Sequence, residues 1–250
     1  MNTSRAITHR SAAAAAGIVV LASAAVMPLS GAEAAAPLCF GLTPTLVGTS
    51  GDDEFTTVDG QVDIIYGGEG SDVLRSEGED GTGNDPGDFL CGGPGNDYIG
   101  GGDGPDHING GDGDDDVDGW RGTDVIQGNA GDDFVTDDSI FSNDRVDDTL
   151  RGGPGNDQMY GGWGADRLYG NRGHDFIYDI ECDGPTRLVG GGGADHLESY
   201  ITSYDALYCD DRFGATPDFL YGGGGEDSAD ASRRDVTGGV EFVTRILSLP

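Results

Sequence analysis

This chain contains no lysine. All 13 of its basic residues are arginine, set against 46 acidic residues and a net charge of -33. A phosphate-cradling loop of the Gly-Lys-Ser/Thr type cannot be built without lysine, so the many glycines serve some other purpose. Nucleic acid is excluded as a partner, because phosphate binding needs a basic face. Cysteine is scarce as well. Cys39, Cys91, Cys182 and Cys209 are the only four, with no Cys-x-x-Cys and no Cys/His spacing, so a zinc site is not expected. Long apolar runs are missing after the first 34 residues, and no membrane span is expected there.

The apolar run that does occur is N-terminal. Arg5, His9 and Arg10 form a short basic front, Ala12 to Leu29 an Ala-rich apolar stretch, and Ala32-Glu33-Ala34 a small-x-small pattern. This order is that of a secretory signal, and residues 1–34 are expected to be removed. A retained anchor fits less well, since the run is weakly hydrophobic and ends in a cleavage-like site. The leader holds no Arg-Arg pair that would point to twin-arginine export. Its removal takes away Arg5, Arg10 and Glu33 and leaves the remainder one charge more negative. The four cysteines then read as two disulfides in an exported chain.

What is abundant is glycine, 47 of 250 residues, roughly one in five. Its placement is periodic. Residues 92–136 divide without slip into GGPGNDYIG, GGDGPDHIN, GGDGDDDVD, GWRGTDVIQ and GNAGDDFVT; residues 152–178 divide into GGPGNDQMY, GGWGADRLY and GNRGHDFIY. Single units start at Gly67, Gly190, Gly222 and, less regularly, Gly48. In each unit the first six residues turn the chain, glycine allowing the positive φ that a tight loop needs. The last three form a short strand whose middle residue points opposite to its neighbours. That eighth position holds Phe55, Ile65, Leu74, Leu90, Ile99, Ile108, Val117, Ile126, Val135, Leu150, Met159, Leu168, Ile177, Leu188, Leu197, Leu220 and Ala229. These side chains are expected to stack into one narrow core, with positions seven and nine facing water.

The pattern Gly-Gly-x-Gly-x-Asp-x-apolar-x resembles the calcium-binding repeat of the RTX (repeats-in-toxin, hemolysin-type) family, a repeat that solenoid surveys associate with calcium. The resemblance runs from about Gly48 to Asp230 and implies an all-β fold. That fold is a parallel β-roll, a two-sided right-handed solenoid with two repeats per turn. It also implies calcium between neighbouring loops, held by loop carbonyls and the sixth-position Asp. The loop glycines that fit are Gly92, Gly95, Gly110, Gly113, Gly128, Gly131, Gly152, Gly155, Gly170 and Gly173.

With two units per turn, successive loops fall on opposite edges. Units 48, 67, 92, 110, 128, 152, 170, 190 and 222 share the first edge, and each keeps Gly at position four and Asp at six. Their carboxylates are Asp53, Asp72, Asp97, Asp115, Asp133, Asp157, Asp175, Asp195 and Asp227. Nine stacked loops enclose eight gaps, which predicts about eight ions, enough to cancel roughly half of the negative excess. On the second edge only units 101, 119 and 161 keep the whole loop; units 58, 83, 143, 181 and 213 read VDGQVD, GNDPGD, NDRVDD, ECDGPT and FGATPD. Every insertion (57, 76–82, 137–142, 179–180, 199–212) precedes a unit of this edge. Asp106 and Asp124 flank one good gap there, and Asp166 stands between degraded neighbours.

The expected layout is therefore a signal (1–34), an N-terminal segment (35–47), the roll (48–230) and a C-terminal cap (231–250), forming a secreted monomer that folds on meeting calcium. Cys182 and Cys209 sit in neighbouring second-edge units and could pair, leaving Cys39 with Cys91; four free thiols are the other possibility. No catalytic role is expected. The space before the repeats is short, and His107, His174 and His196 occupy variable positions. An EF-hand is not in question either, since Asp112 to Asp116 lacks the twelve-residue frame and flanking helices. The rival is an extracellular adhesion or interaction protein that uses the insertion-bearing edge. Tyr200, Tyr204, Tyr208, Arg212 and Phe213 gather in or beside one insertion. Tyr160, Tyr169 and Tyr178 form a further stripe at position nine.

Overall fold

A computed structural model describes residues 37–57, 60–76, 85–137, 146–179, 185–199, 219–231, 236–238 and 242–245. The leader, Cys182, Cys209 and the aromatic cluster of the 199–212 insertion lie outside these residues.

Short strands alternate with glycine turns because each nonapeptide supplies three extended residues and six that must bend. Twenty strands, β1 to β20 in chain order, result among the described residues. The odd-numbered strands form one ten-stranded sheet and the even-numbered strands another, every pairing parallel. Each strand therefore hydrogen-bonds to the strand two units away, which is the two-repeat turn expected from the sequence. The register is that of the repeat: in β5 (Phe89–Pro94) and β7 (His107–Asp112), Leu90 stands opposite Ile108 and Gly93 opposite Gly111.

All seventeen eighth-position side chains, Phe55 through Ala229, form the buried core cluster, with Leu46 packed against it. Each of the strands β2 to β18 contributes one inward side chain, worth about 1.5–3 kcal/mol when large and fully buried. A core one side chain deep per strand is thin for a chain of this size, so edge interactions must matter more here than in an ordinary domain.

Non-repeat residues complete both ends. Strand β1 (Leu46–Val47) pairs with β3 (Ile64–Tyr66) ahead of the first full unit. At the other end β19 (Val236–Gly238) and β20 (Phe242–Arg245) add the last strand to each sheet. Cys39 is bonded to Cys91, with Cα atoms 5.7 Å apart, and ties the N-terminal segment to β5. Phe40 packs there against Phe89 and His107, ring centroids 6.1 and 5.7 Å away.

The loops on each edge stack so closely that side chains are excluded. A Cβ on Gly113, at φ 133°, would strike the carbonyl oxygen of Gly95 in the loop below. At three second positions a side chain does stand at positive φ: Trp120, Asn129 and Asn171, at 75°, 77° and 79°. Asn tolerates this left-handed region; for Trp120 it costs about 1–2 kcal/mol.

Candidate metal edges

The sixth-position Asp side chains turn inward rather than toward water. On the first edge Asp53, Asp72, Asp97, Asp115, Asp133, Asp157, Asp175, Asp195 and Asp227 are all buried. Their Oδ1 atoms form a continuous chain: each accepts the backbone N–H of the Asp one turn earlier, from Asp53 N–H to Asp72 through Asp195 N–H to Asp227, at 2.8–3.0 Å. One carboxylate oxygen is thereby used to hold the stack.

The other oxygen is not. Oδ2 of Asp72, Asp97, Asp115, Asp133, Asp157, Asp175 and Asp195 is buried without a hydrogen-bond partner, and so is Oδ2 of Asp106 on the second edge. Such an orphan costs roughly 1–3 kcal/mol, more when charged. These oxygens all aim at the same place, the bare Cα of their own unit's first glycine. A Cβ built on Gly67 would lie 2.5 Å from Asp72 Oδ2 and 2.6 Å from the carbonyl oxygen of Gly92, one turn on. The same pairing recurs at Gly92 (Asp97 with the Gly110 carbonyl), Gly110 (Asp115 with Gly128) and Gly170 (Asp175 with Gly190). Second- and fourth-position carbonyls also face the next loop, as Gly93 does beneath Gly111 and Gly95 beneath Gly113. The gap between two loops is thus lined by one carboxylate oxygen and several carbonyl oxygens. An all-oxygen set of this kind, with carboxylate charge and no nitrogen or sulfur, suits a hard cation of calcium's size. The residues present fit the ion that the sequence pattern implies.

The electrostatics agree. Without a counter-ion, burial raises these carboxyls far above the ordinary value of 3.8. Asp72 and Asp133 go to about 6, Asp157 and Asp175 to about 7, and Asp115 to about 8. The N–H donated by the preceding Asp opposes the shift in each case, and neighbouring Asp charges add to it. Asp106 is pushed up to about 10 by burial and by Asp124. At neutral pH Asp115 and Asp106 therefore hold protons unless cations replace them, and Asp157 and Asp175 do so in part.

The second edge is more complete than its loops suggest. Its Oδ1 chain runs from Asp63 through Asp88, Asp106, Asp124 and Asp148 to Asp166, at 2.6–2.9 Å, and ends with Asp166 N–H donating to Thr186 Oγ1 at 3.1 Å. Asp166 thus belongs to the hydrogen-bonded row although the loops on either side of it are degraded. Asp63, Asp88 and Asp148 were overlooked because their loops lack glycine at position four, yet the backbone does the same work without it. Val146, at position four of unit 143, still places its carbonyl oxygen beneath Gly164.

A second set of residues was also missed. Where an insertion follows, the first glycine is replaced by Thr57, Ser76, Asp137, Asp179 or Ser199, and all five are buried. They occupy the glycine's place in the stack: Asp137 N–H donates to the Tyr160 carbonyl as Gly161 N–H does to that of Tyr178. Thr57 Oγ1 lies 3.1 Å from Ser76 Oγ, and Ser76 Oγ donates to Asp88. In the unit where Thr186 replaces the sixth-position Asp, a carboxylate returns at the first position as Asp179. The signal was available, since the first residue of every insertion carries a side-chain oxygen.

On the outer faces, the position-nine tyrosines do not form one stripe. Tyr160 and Tyr178 share the even-numbered sheet, centroids 5.8 Å apart, while Tyr169 stands on the other sheet. The even-numbered sheet carries Phe134, Tyr160, Phe176 and His196 in successive contact at 5.4, 6.2 and 5.3 Å. His107 packs on Phe89, His174 Nδ1 accepts the Ala194 N–H at 2.8 Å, and His196 bonds Ser228 and Glu198, so each is spent on holding rungs together.

Compared with known families, residues 45–74, 92–126, 121–136, 143–177 and 214–233 match the model of the RTX calcium-binding nonapeptide repeat (4 copies), more than half of the chain. Neither the curated proteins nor the solved structures yielded a match.

Proposed function

The chain belongs to the RTX calcium-binding nonapeptide repeat family and is a calcium-binding repeat protein; from this premise we propose that it is exported and monomeric, and that it folds when calcium enters its loop edges. One observation carries the reading: rows of buried Oδ2 atoms that lack a partner and converge with carbonyl oxygens of the next turn. The first edge takes about eight ions in the gaps from Asp53 to Asp227. The second takes further ions along Asp88, Asp106, Asp124, Asp148 and Asp166. Each ion supplies charge neutralisation and ligand bonds that the thin core does not. Extracellular sites of this kind work at about 0.1–1 mM, so the chain stays empty and unfolded before export and folds outside. The leader-like N-terminus and the Cys39–Cys91 disulfide support export. The role is binding and scaffolding rather than catalysis. Far-ultraviolet circular dichroism during a calcium titration tests it: strand signal should rise with calcium and vanish with chelator, and a signal indifferent to calcium at neutral pH would refute coupled folding.

The aromatic row from Phe134 to His196 supports a second reading, in which the calcium-stabilised roll is a scaffold for extracellular adhesion. Replacing Phe134 and Tyr160 by serine would then leave calcium-induced folding intact and abolish partner capture.

A further inference from the structure

One cluster on the second edge is built differently from the repeat gaps. Asp124 ends the loop of unit 119 and Asp148 that of unit 143. Asp137 belongs to no nonapeptide and directly follows β10 (Phe134–Thr136), where the first glycine of a unit would stand. One carboxylate oxygen from each of the three lies within 4.8 Å of the others, and all three residues are buried. Asp137 is only 2% exposed, and its Oδ1 has no hydrogen-bond partner. That atom points at the bare Cα of Gly119, where Asp124 Oδ2 also converges, 2.7 Å from the Cβ that glycine lacks. A repeat gap is lined by a single free carboxylate oxygen and backbone carbonyls. Here three side-chain carboxylates meet.

We propose that Asp124, Asp137 and Asp148 form a divalent-cation site distinct in construction from the repeat sites, with Asp137 as its added ligand, and that it binds calcium more tightly than the repeat gaps. Affinity in oxygen sites rises with the number of charged ligands and with rigidity. This site has both, since Asp124 and Asp148 directly precede paired strands and belong to the hydrogen-bonded Asp row, and Asp137 is held by its N–H on the Tyr160 carbonyl. It therefore fills first, at a point midway along the roll, and pins the two sheets across the loop-bearing edge. The claim rests on the calcium reading above and extends it to a residue outside the repeat.

The competing explanation is chemical: Asp137 and Asp148 could share a proton across a carboxyl–carboxylate hydrogen bond and need no ion. Asp137→Asn separates the two, because an amide can donate to Asp148 as a protonated carboxyl would. The full chain, Asp137→Asn, Asp137→Ser and, as control, Asp115→Asn should be compared by isothermal titration with calcium chloride. Circular dichroism confirms that each is folded at saturating calcium. Serine is the side chain that the chain itself uses at the equivalent Ser76 and Ser199, so at least one variant should retain the fold. The expected result is that both Asp137 variants lose one ion and that the tightest phase weakens about tenfold or more. Asp115→Asn should lose capacity only in the weaker phase. A folded Asp137 variant that keeps the wild-type ion count and tightest phase overturns the proposal. If Asp115→Asn behaves as expected in the same experiment, the repeat reading survives that failure; absence of calcium binding by the unmodified chain would instead sink the broader reading.

Discussion

Replacing Asp115 by asparagine should reverse the sign of its effect with calcium. Asp115 Oδ1 accepts the Asp97 N–H at 2.9 Å, a bond that an amide oxygen can keep. Its Oδ2 is buried, unpartnered and directed to the same point as the Gly128 carbonyl. An amide nitrogen placed there would donate to that carbonyl without the proton uptake that Asp115, raised to about 8 by burial, needs in the calcium-free roll. Without calcium the substitution therefore gains about 1–3 kcal/mol, the cost of one orphaned group. With calcium it loses ligand energy. An ion held at a hundred times its dissociation constant contributes about 2.7 kcal/mol, and Asp115 stands between two gaps, so about 5 kcal/mol is lost and, set against the gain above, the net loss is about 2–4 kcal/mol. At about 2–4 °C per kcal/mol that is a fall of roughly 4–16 °C in melting temperature. The assay has two arms: thermal melting in excess calcium, and the sucrose concentration that folds the chain in chelator. The expected pattern is a lower melting temperature in the first and a lower sucrose midpoint in the second. Destabilisation of equal size in both arms would mean that Asp115 acts only through the stack, and the cation argument would fail.

Further outcomes follow from the same geometry. In chelator the roll should be most stable in acid. Asp72, Asp133, Asp157, Asp175 and Asp115 have folded-state values of about 6 to 8 against 3.8 when free, so the native state binds more protons and stability falls as pH rises from about 4 to about 8. Apo stability that increased over this window, measured by denaturant midpoint, would contradict it, and calcium binding near pH 6 should release protons. Gly110→Ala should abolish one calcium site, because its Cβ meets Asp115 Oδ2 and, at 2.7 Å, the Gly128 carbonyl oxygen, whereas Gly224→Ala should be tolerated, with nothing within 4 Å of its Cβ. Ion counting by equilibrium dialysis distinguishes them. Replacing Cys39 and Cys91 by serine should cost about 4 kcal/mol at most, the entropy of a loop of this size, without changing calcium stoichiometry.

Much of this fold can be read in the sequence because the repeat obeys two simple periodicities. The eighth residue of every unit must point inward once positions seven to nine are extended, and all seventeen do. The first-edge Asp row follows from phase alone. The second edge was harder, since its loops were judged by their glycines. The Oδ1 chain needs only an N–H and a carboxylate at position six, which Asp63, Asp88 and Asp148 supply, and a gap-lining carbonyl is available from Val146 as readily as from glycine. Glycine at position one yields to Asp137 or Asp179 only where the loop is longer. Tyr169 was grouped with Tyr160 and Tyr178 by adjacency in the chain, although the two-unit turn sends alternate units to opposite sheets.

The central claim is that calcium ions lie between stacked loops against the free Oδ2 atoms. Anomalous diffraction from crystals grown in calcium tests it most directly. The expected result is a row of peaks along the first edge, spaced by the strand separation of about 4.8 Å, each beside the Oδ2 of an Asp from Asp72 to Asp195. A folded roll at neutral pH and millimolar calcium, with those gaps free of anomalous density, would contradict it.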